Sequence, residues 1–140
     1  MNSTNLVLIL LAGGIGSRIK RRVSKQMIKY NNLTILEMNV INFSKNLKNI
    51  PIQIVANNKD FIEISKICNK YNLLSPVLGG DERHKSTYNA LVSIEHINPK
   101  YVLVHDTARP IISSDVIKKL VAYSKKEVFC VAPVIKINDS

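Results

Sequence analysis

Acidic residues are scarce in this chain of 140: ten Asp and Glu stand against twenty Lys and Arg, a formal net charge of +10 at pH 7. Such an imbalance calls for an anionic partner or a solvated basic surface. Cysteine is scarcer still. Cys68 and Cys130 lie far apart in apolar surroundings, a spacing that excludes a metal knuckle or a redox pair, and both read as buried thiols. His84, His96 and His105 are scattered without cysteines at ligand spacing, which argues against a zinc site built by the protein. Aromatic residues amount to 6% and do not interleave with the basic ones, so no stacking platform for nucleic acid is expected. No apolar run approaches the roughly 20 residues of a membrane span. Leu6 to Leu11 followed by Ala12-Gly13-Gly14 has the outline of a signal peptide, yet no positive n-region precedes it. A cytoplasmic protein without a membrane partner is the expectation. Repeats, low-complexity tracts and linkers are also lacking, which leaves residues 1–140 as a single expected domain.

What is present is an alternation of strand-length apolar runs with segments of helical spacing, the signature of a mostly parallel sheet covered by helices on both faces. Five strands are predicted: Asn5 to Ala12, Ile52 to Asn57, Leu74 to Leu78, Tyr101 to His105 and Val128 to Val134. Their nearly continuous Val, Ile and Leu content fits strands buried on both faces. Thr34 with Glu37 makes a capping box ahead of a helix to about Asn46, and Ser113-Ser114-Asp115 opens another to about Ser124. Phe61, Ile64, Ile67, Cys68 and Tyr71 form one helical stripe, and Ala90, Leu91 and Ile94 another in a helix starting near Arg83. Both stripes read as core.

The strongest local signal is Leu10-Leu11-Ala12-Gly13-Gly14-Ile15-Gly16-Ser17-Arg18, with Lys25-Gln26 beyond it. A buried strand runs into a glycine-rich turn followed by cations. Glycines remove the Cβ atoms that would keep a ligand off the backbone N–H groups, and Arg18 and Lys25 add formal positive charge, so the segment reads as a polyphosphate cradle. It is not a Walker loop, which ends in Gly-Lys-Ser/Thr, nor a dinucleotide fingerprint, because Ile19 stands where the third glycine belongs. Lys20, Arg21, Arg22 and Lys29 thicken the charge after the turn; Lys118, Lys119, Lys125 and Lys126 read as the solvated side and end of a helix.

Two further polar turns follow strands on the same edge, Gly79-Gly80-Asp81-Glu82-Arg83 with Lys85-Ser86, and His105-Asp106-Thr107-Ala108-Arg109-Pro110. Ligands of open α/β sheets bind at that edge, where the strand order reverses. Together with Thr34-Ile35-Leu36-Glu37 and Ala132-Pro133-Val134, these blocks resemble the 2-C-methyl-D-erythritol 4-phosphate cytidylyltransferase family of the sugar-phosphate nucleotidyltransferases. Ribitol-5-phosphate cytidylyltransferase is the nearest alternative, since Ala-Gly-Gly-Ile-Gly-Ser-Arg suits that branch too. The resemblance covers nearly the whole chain.

It implies a Rossmann-like three-layer sandwich of the nucleotide-diphospho-sugar transferase type. It also implies cytidylyl transfer from CTP to 2-C-methyl-D-erythritol 4-phosphate with release of pyrophosphate. By the same resemblance, Arg18 and Lys25 are catalytic, and Ala12, Gly13, Gly14, Gly16, Gly79, Gly80, Asp81, Ser86 and Asp106 bind the nucleotide. Asp106 and Arg109 contact the acceptor. The cofactor is Mg²⁺, held mainly by the triphosphate and not by a protein-built metal site, and the family works as a homodimer. Ser24 departs from the family's usual proline before the lysine. Full-length relatives continue into a dimer-forming arm and a second catalytic lysine, so the chain is expected to be the CTP-binding front of that domain, with a nucleotide-binding module that has lost catalysis as the alternative.

Overall fold

The computed structural model describes residues 5–14, 23–124, 126 and 130–134, and the chain packs as two compact units, Met1–Pro110 and Ile111–Ser140. In the first unit, β1 (Leu6–Ala12) pairs in parallel with β4 (Ile52–Ala56) on one side, Leu8 opposite Ile52, and with β6 (Tyr101–Asp106) on the other, Leu6 opposite Tyr101. The short β5 (Val77–Leu78) lies parallel outside β4, giving the order β5-β4-β1-β6. The middle strands are apolar on both faces, as their unbroken Val, Ile and Leu runs require.

Helices α1 (Ile35–Asn46) and α2 (Phe61–Lys70) make the crossovers from β1 to β4 and from β4 to β5. Helix α3 (Arg83–Ser93) returns the chain over the sheet to β6. Right-handed crossovers put α3 on one face and the other two helices on the opposite one. Alternation along the strands agrees: Val7, Ile9 and Val55 pack with Ala90 and Ile94 of the α3 side. Leu36, Val40 and Phe43 of α1 and Ile64 of α2 are equally buried.

Four parallel strands are present among the described residues, one fewer than predicted. Cys130 to Val134 form no strand among the described residues: Cys130 is exposed, against the expectation of a buried thiol, and Val134 is 90% exposed. An apolar run becomes a strand only where a neighbour completes its ladder; residues 128 and 129 of the predicted strand lie outside the described residues. The predicted third strand shrinks to Val77–Leu78 because Pro76 has no N–H and the Ser75 carbonyl accepts from Gln53 Nε2 at 2.8 Å. Leu91, expected in the core, is 41% exposed. Cys68 is buried as expected, and burial pushes its thiol up to about 11.

A two-stranded antiparallel ribbon, β2 (Lys29–Tyr30) and β3 (Leu33–Thr34), was not anticipated. Its turn is Asn31-Asn32, at φ 47° and 64°. Two left-handed residues match the twist of a tight hairpin. All five non-glycine residues with positive φ among the described residues are asparagines, the side chain that tolerates this region best after glycine.

Helix starts follow the sequence. Thr34 Oγ1 accepts from Glu37 N at 3.1 Å while Glu37 Oε2 accepts from Thr34 N at 2.8 Å, closing the expected capping box. In the second unit α4 (Ser114–Ser124) begins with Ser113 Oγ accepting from Val116 N at 3.3 Å. The box also ties α1 to α2: Glu37 Oε1 takes Lys70 Nζ at 2.7 Å and Tyr71 Oη at 3.2 Å.

Burial alone would raise the Glu37 carboxyl, but the Lys70 ammonium together with the Thr34 N–H and hydroxyl outweighs it and holds the group at about 2, from an ordinary 4.5. Because the folded value lies below the unfolded one, the stabilisation is complete above pH 5 and is lost as pH falls towards 2. Glu37→Gln is expected to lower stability at pH 7 by about 2 kcal/mol. It should also flatten the loss between pH 5 and pH 2, read by urea unfolding at each pH.

Candidate functional site

From β1 the chain steps one way to β4 and β5, then crosses back to β6, so the strand order reverses between β1 and β6. At such a switch point the connections leave the carboxyl ends of the strands in opposite directions and open a crevice. A cleft of about 370 Å³ lies there, within the first unit, lined by Leu11, Gly13, Gly14, Gly80 to Arg83, Ser86 and Asp106. The volume suits a small organic ligand.

The sheet-side wall is the glycine turn. Ala12 closes β1 and is 1% exposed, and Gly13 and Gly14 carry the backbone onto the cleft surface. Gly16 and Arg18 lie outside the described residues. Lys25 stands exposed on a 3-10 turn (Lys25–Met27) between two buried neighbours, Ser24 and Gln26. That burial pattern was missed in the sequence, where Gln26 is simply the residue after a lysine.

Its amide Nε2 donates to Ala12 O at 2.8 Å and Gly14 O at 3.4 Å, and it meets Asp60 Oδ2 at 2.9 Å. Asp60 in turn accepts from Asn57 Nδ2 at 2.9 Å. A buried polar trio at the ends of β1 and β4 therefore supports the cradle from behind. The clue in sequence was a polar Asn57-Asn58-Lys59-Asp60 stretch closing an apolar strand.

The opposite wall is the turn from Gly79 to Ser86. Gly79 N–H donates to Ala56 O at 2.9 Å, carrying the β4–β5 pairing one residue further. A Cβ on Gly79 would come 2.8 Å from Ser86 Oγ, and one on Gly80 would come 2.5 Å from Lys85 Cβ. Both positions are closed to any larger residue without movement of the turn. Ser86, 8% exposed, holds the turn by accepting from Gly80 N–H at 3.1 Å. Lys85 Nζ grips Asp81 at 2.8 and 3.1 Å, and that contact keeps the exposed Asp81 carboxyl below its ordinary value. Gly79 braces this wall from beneath, whereas Gly80, Asp81 and Ser86 face the cleft.

At the end of β6, Asp106 lines the cleft and accepts from Ala108 N–H through Oδ1 at 3.0 Å. Thr107 Oγ1 donates to Leu11 O at 2.7 Å, locking this turn onto β1. Asn39 of α1, fully buried, donates to Thr107 O at 3.0 Å and lies 3.0 Å from His105 Nε2 through its own oxygen. That nitrogen also lies 2.9 Å from Arg109 O; facing two acceptors, it carries the ring proton. Burial lowers the His105 pKa from its ordinary value, which keeps the ring neutral at pH 7. His105 thus braces the turn, a role its reading as a strand-end residue did not include. Arg109 is exposed and is not among the residues lining the cleft. Among the described residues no three His, Cys, Asp or Glu side chains gather as a metal site, and no helix is long and apolar enough to cross a membrane.

The chain is similar to known proteins along nearly its whole length. A model of the family described as 2-C-methyl-D-erythritol 4-phosphate cytidylyltransferase (IspD) matches residues 6–140. The cytidylyltransferase of that name from Clostridium beijerinckii is 38% identical over 122 residues, covering 84% of this chain and 53% of its own. The bifunctional enzyme IspD/IspF of Wolbachia pipientis wMel is 34% identical over 94% of this chain and 34% of its own. Among solved structures, 4-diphosphocytidyl-2C-methyl-D-erythritol synthase from Anaerococcus prevotii superposes with a TM-score of 0.67 at 26% identity, over 86% of this chain and 51% of that one. The chain therefore spans about half the length of the single-function relatives it matches. Since the family model matches from the first strand onward and over nearly the whole chain, this chain belongs to the 2-C-methyl-D-erythritol 4-phosphate cytidylyltransferase family.

Proposed function

We propose that the cleft binds CTP and that the chain serves the transfer of its cytidylyl group to 2-C-methyl-D-erythritol 4-phosphate, releasing pyrophosphate. The observation that carries this reading is the meeting of two glycine turns across one cleft at the switch point of a chain matched by the family model. The Gly13-Gly14 wall offers bare backbone to a polyphosphate. The wall at Gly80 and Asp81 offers close backbone groups to match the N4 amino donor and the N3 and O2 acceptors of cytosine.

The acceptor phosphate attacks the α-phosphorus from the side opposite pyrophosphate, and negative charge grows on the equatorial oxygens as it does so. Catalysis therefore consists of holding two anions together and countering that charge. Arg18 and Lys25 carry this task in the proposal, with Asp106 and Arg109 directed to the acceptor. Mg²⁺ fits such a site because it keeps several waters and asks for few protein oxygens. The triphosphate would hold most of it, and Asp106 would be the cleft carboxylate to complete its shell, since Asp81 and Glu82 are paired with Lys85 and His84. When bound, the ion would neutralise triphosphate charge.

Titration calorimetry with Mg²⁺ should show CTP binding in clear preference to UTP and ATP, and no CTP binding would overturn the reading. Pyrophosphate release with 2-C-methyl-D-erythritol 4-phosphate, but not with ribitol 5-phosphate, is expected to identify the acceptor. Lys25→Ala should cost about 3 kcal/mol of transition-state stabilisation, seen in kcat/KM, the scale for removing one preorganised donor. Gly80→Ala should weaken CTP binding at least about tenfold, because its Cβ displaces the turn at Lys85.

A further inference from the structure

Asp60 occupies the residue before α2, where an aspartate ordinarily accepts a hydrogen bond from its own helix N-terminus. It does not do so here. Asp60 N–H donates to Asn57 Oδ1 at 2.8 Å, and the carboxylate turns inward, 7% exposed, to meet both Gln26 and Asn57. Forgoing a helix cap gives up stabilisation at the start of α2. The contact made in its place fixes the side chain that holds the glycine turn.

Gln26 Nε2 reaches the carbonyls of Ala12 and Gly14, one on either side of Gly13. In a planar trans peptide the N–H points opposite to the C=O. Drawing Ala12 O back towards Gln26 therefore turns the Gly13 N–H the other way, and Gly13 lies on the cleft wall. The main chain of Gln26 belongs to the tight turn closed by Met27 N to Ser24 O at 2.9 Å and Ile28 N to Lys25 O at 3.2 Å. One buried amide thus joins the cradle to the turn that presents Lys25, across 14 residues of sequence.

We propose that Gln26, anchored by Asp60, is a positioning residue that orients the cradle's backbone N–H groups and sets Lys25 against them. The proposal rests on the CTP reading for its ligand, while the alignment of the glycine turn is readable without one. The test uses the 140-residue chain labelled with ¹⁵N, as wild type, Gln26→Met, which keeps the volume and loses the donor, and Asp60→Ala. Asp60→Asn retains an oxygen for Gln26 and serves as the rescue.

In the ligand-free protein the Gly13 and Gly14 amide signals should broaden or split in Gln26→Met and Asp60→Ala, while those of Gly79 and Gly80 stay in place. CTP affinity should fall about tenfold in Gln26→Met and severalfold in Asp60→Ala, with Asp60→Asn returning to within about threefold of wild type. Unchanged Gly13 and Gly14 signals in both variants would overturn the proposal. So would equal CTP affinity in all four proteins. If Gln26→Met does not fold, Asp60→Ala decides by the same signals. Failure of the wild type to bind CTP counts against the nucleotide reading, and the ligand-free glycine signals then still decide whether Gln26 aligns the turn.

Discussion

Parallel pairing on both sides of β1 is the constraint from which the rest follows. A strand with two parallel neighbours needs crossovers to reach them, and crossovers of one hand bury it on both faces. Its sequence must then be apolar throughout, and Leu6 to Ala12 is. Its neighbours also lie at opposite ends of the chain order, one reached early and one late, so the chain must reverse its direction of travel beside it. The cleft at the carboxyl end of β1 is a product of that reversal. Any chemistry placed there inherits the sheet as a floor and three turns as walls.

The walls are kept in shape mostly by amides and hydroxyls under them. Gln26 and Asp60 stand beneath the glycine turn, Ser86 closes the Gly79 to Ser86 turn from within, and Asn39 with Thr107 stands beneath the turn after β6. Apart from the Asp60 carboxylate, these are neutral donors and acceptors, which hold backbone without adding fixed charge beneath the cleft. Each is satisfied, and no buried side-chain nitrogen or oxygen among the described residues lacks a partner. A half-paired network would have cost more than an apolar one.

How much of this was legible in the sequence depended on range. Local rules served well: the capping box at Thr34 and Glu37, the helix from Arg83, and the burial of Leu6 to Leu10 follow from neighbours a few residues apart. The three turns were legible because glycine and the strand ends mark them. What escaped were contacts over long separations. Nothing around Asn39 announces a bond to a carbonyl 68 residues away, and nothing around Gln26 announces Asp60. The Cys130 to Val134 run failed for the complementary reason, since composition alone cannot supply the partner that makes a strand.

The asparagines at left-handed turns carry a consequence of another kind. With only five glycines in the chain, left-handed turns such as Asn31-Asn32, Asn49, Asn72 and Asn98 are made by an amide side chain that tolerates the conformation at some strain. These bends lie at exposed positions, so the fold holds their strain outside the apolar interior, where a substitution by glycine would relieve it without disturbing the packing of the core.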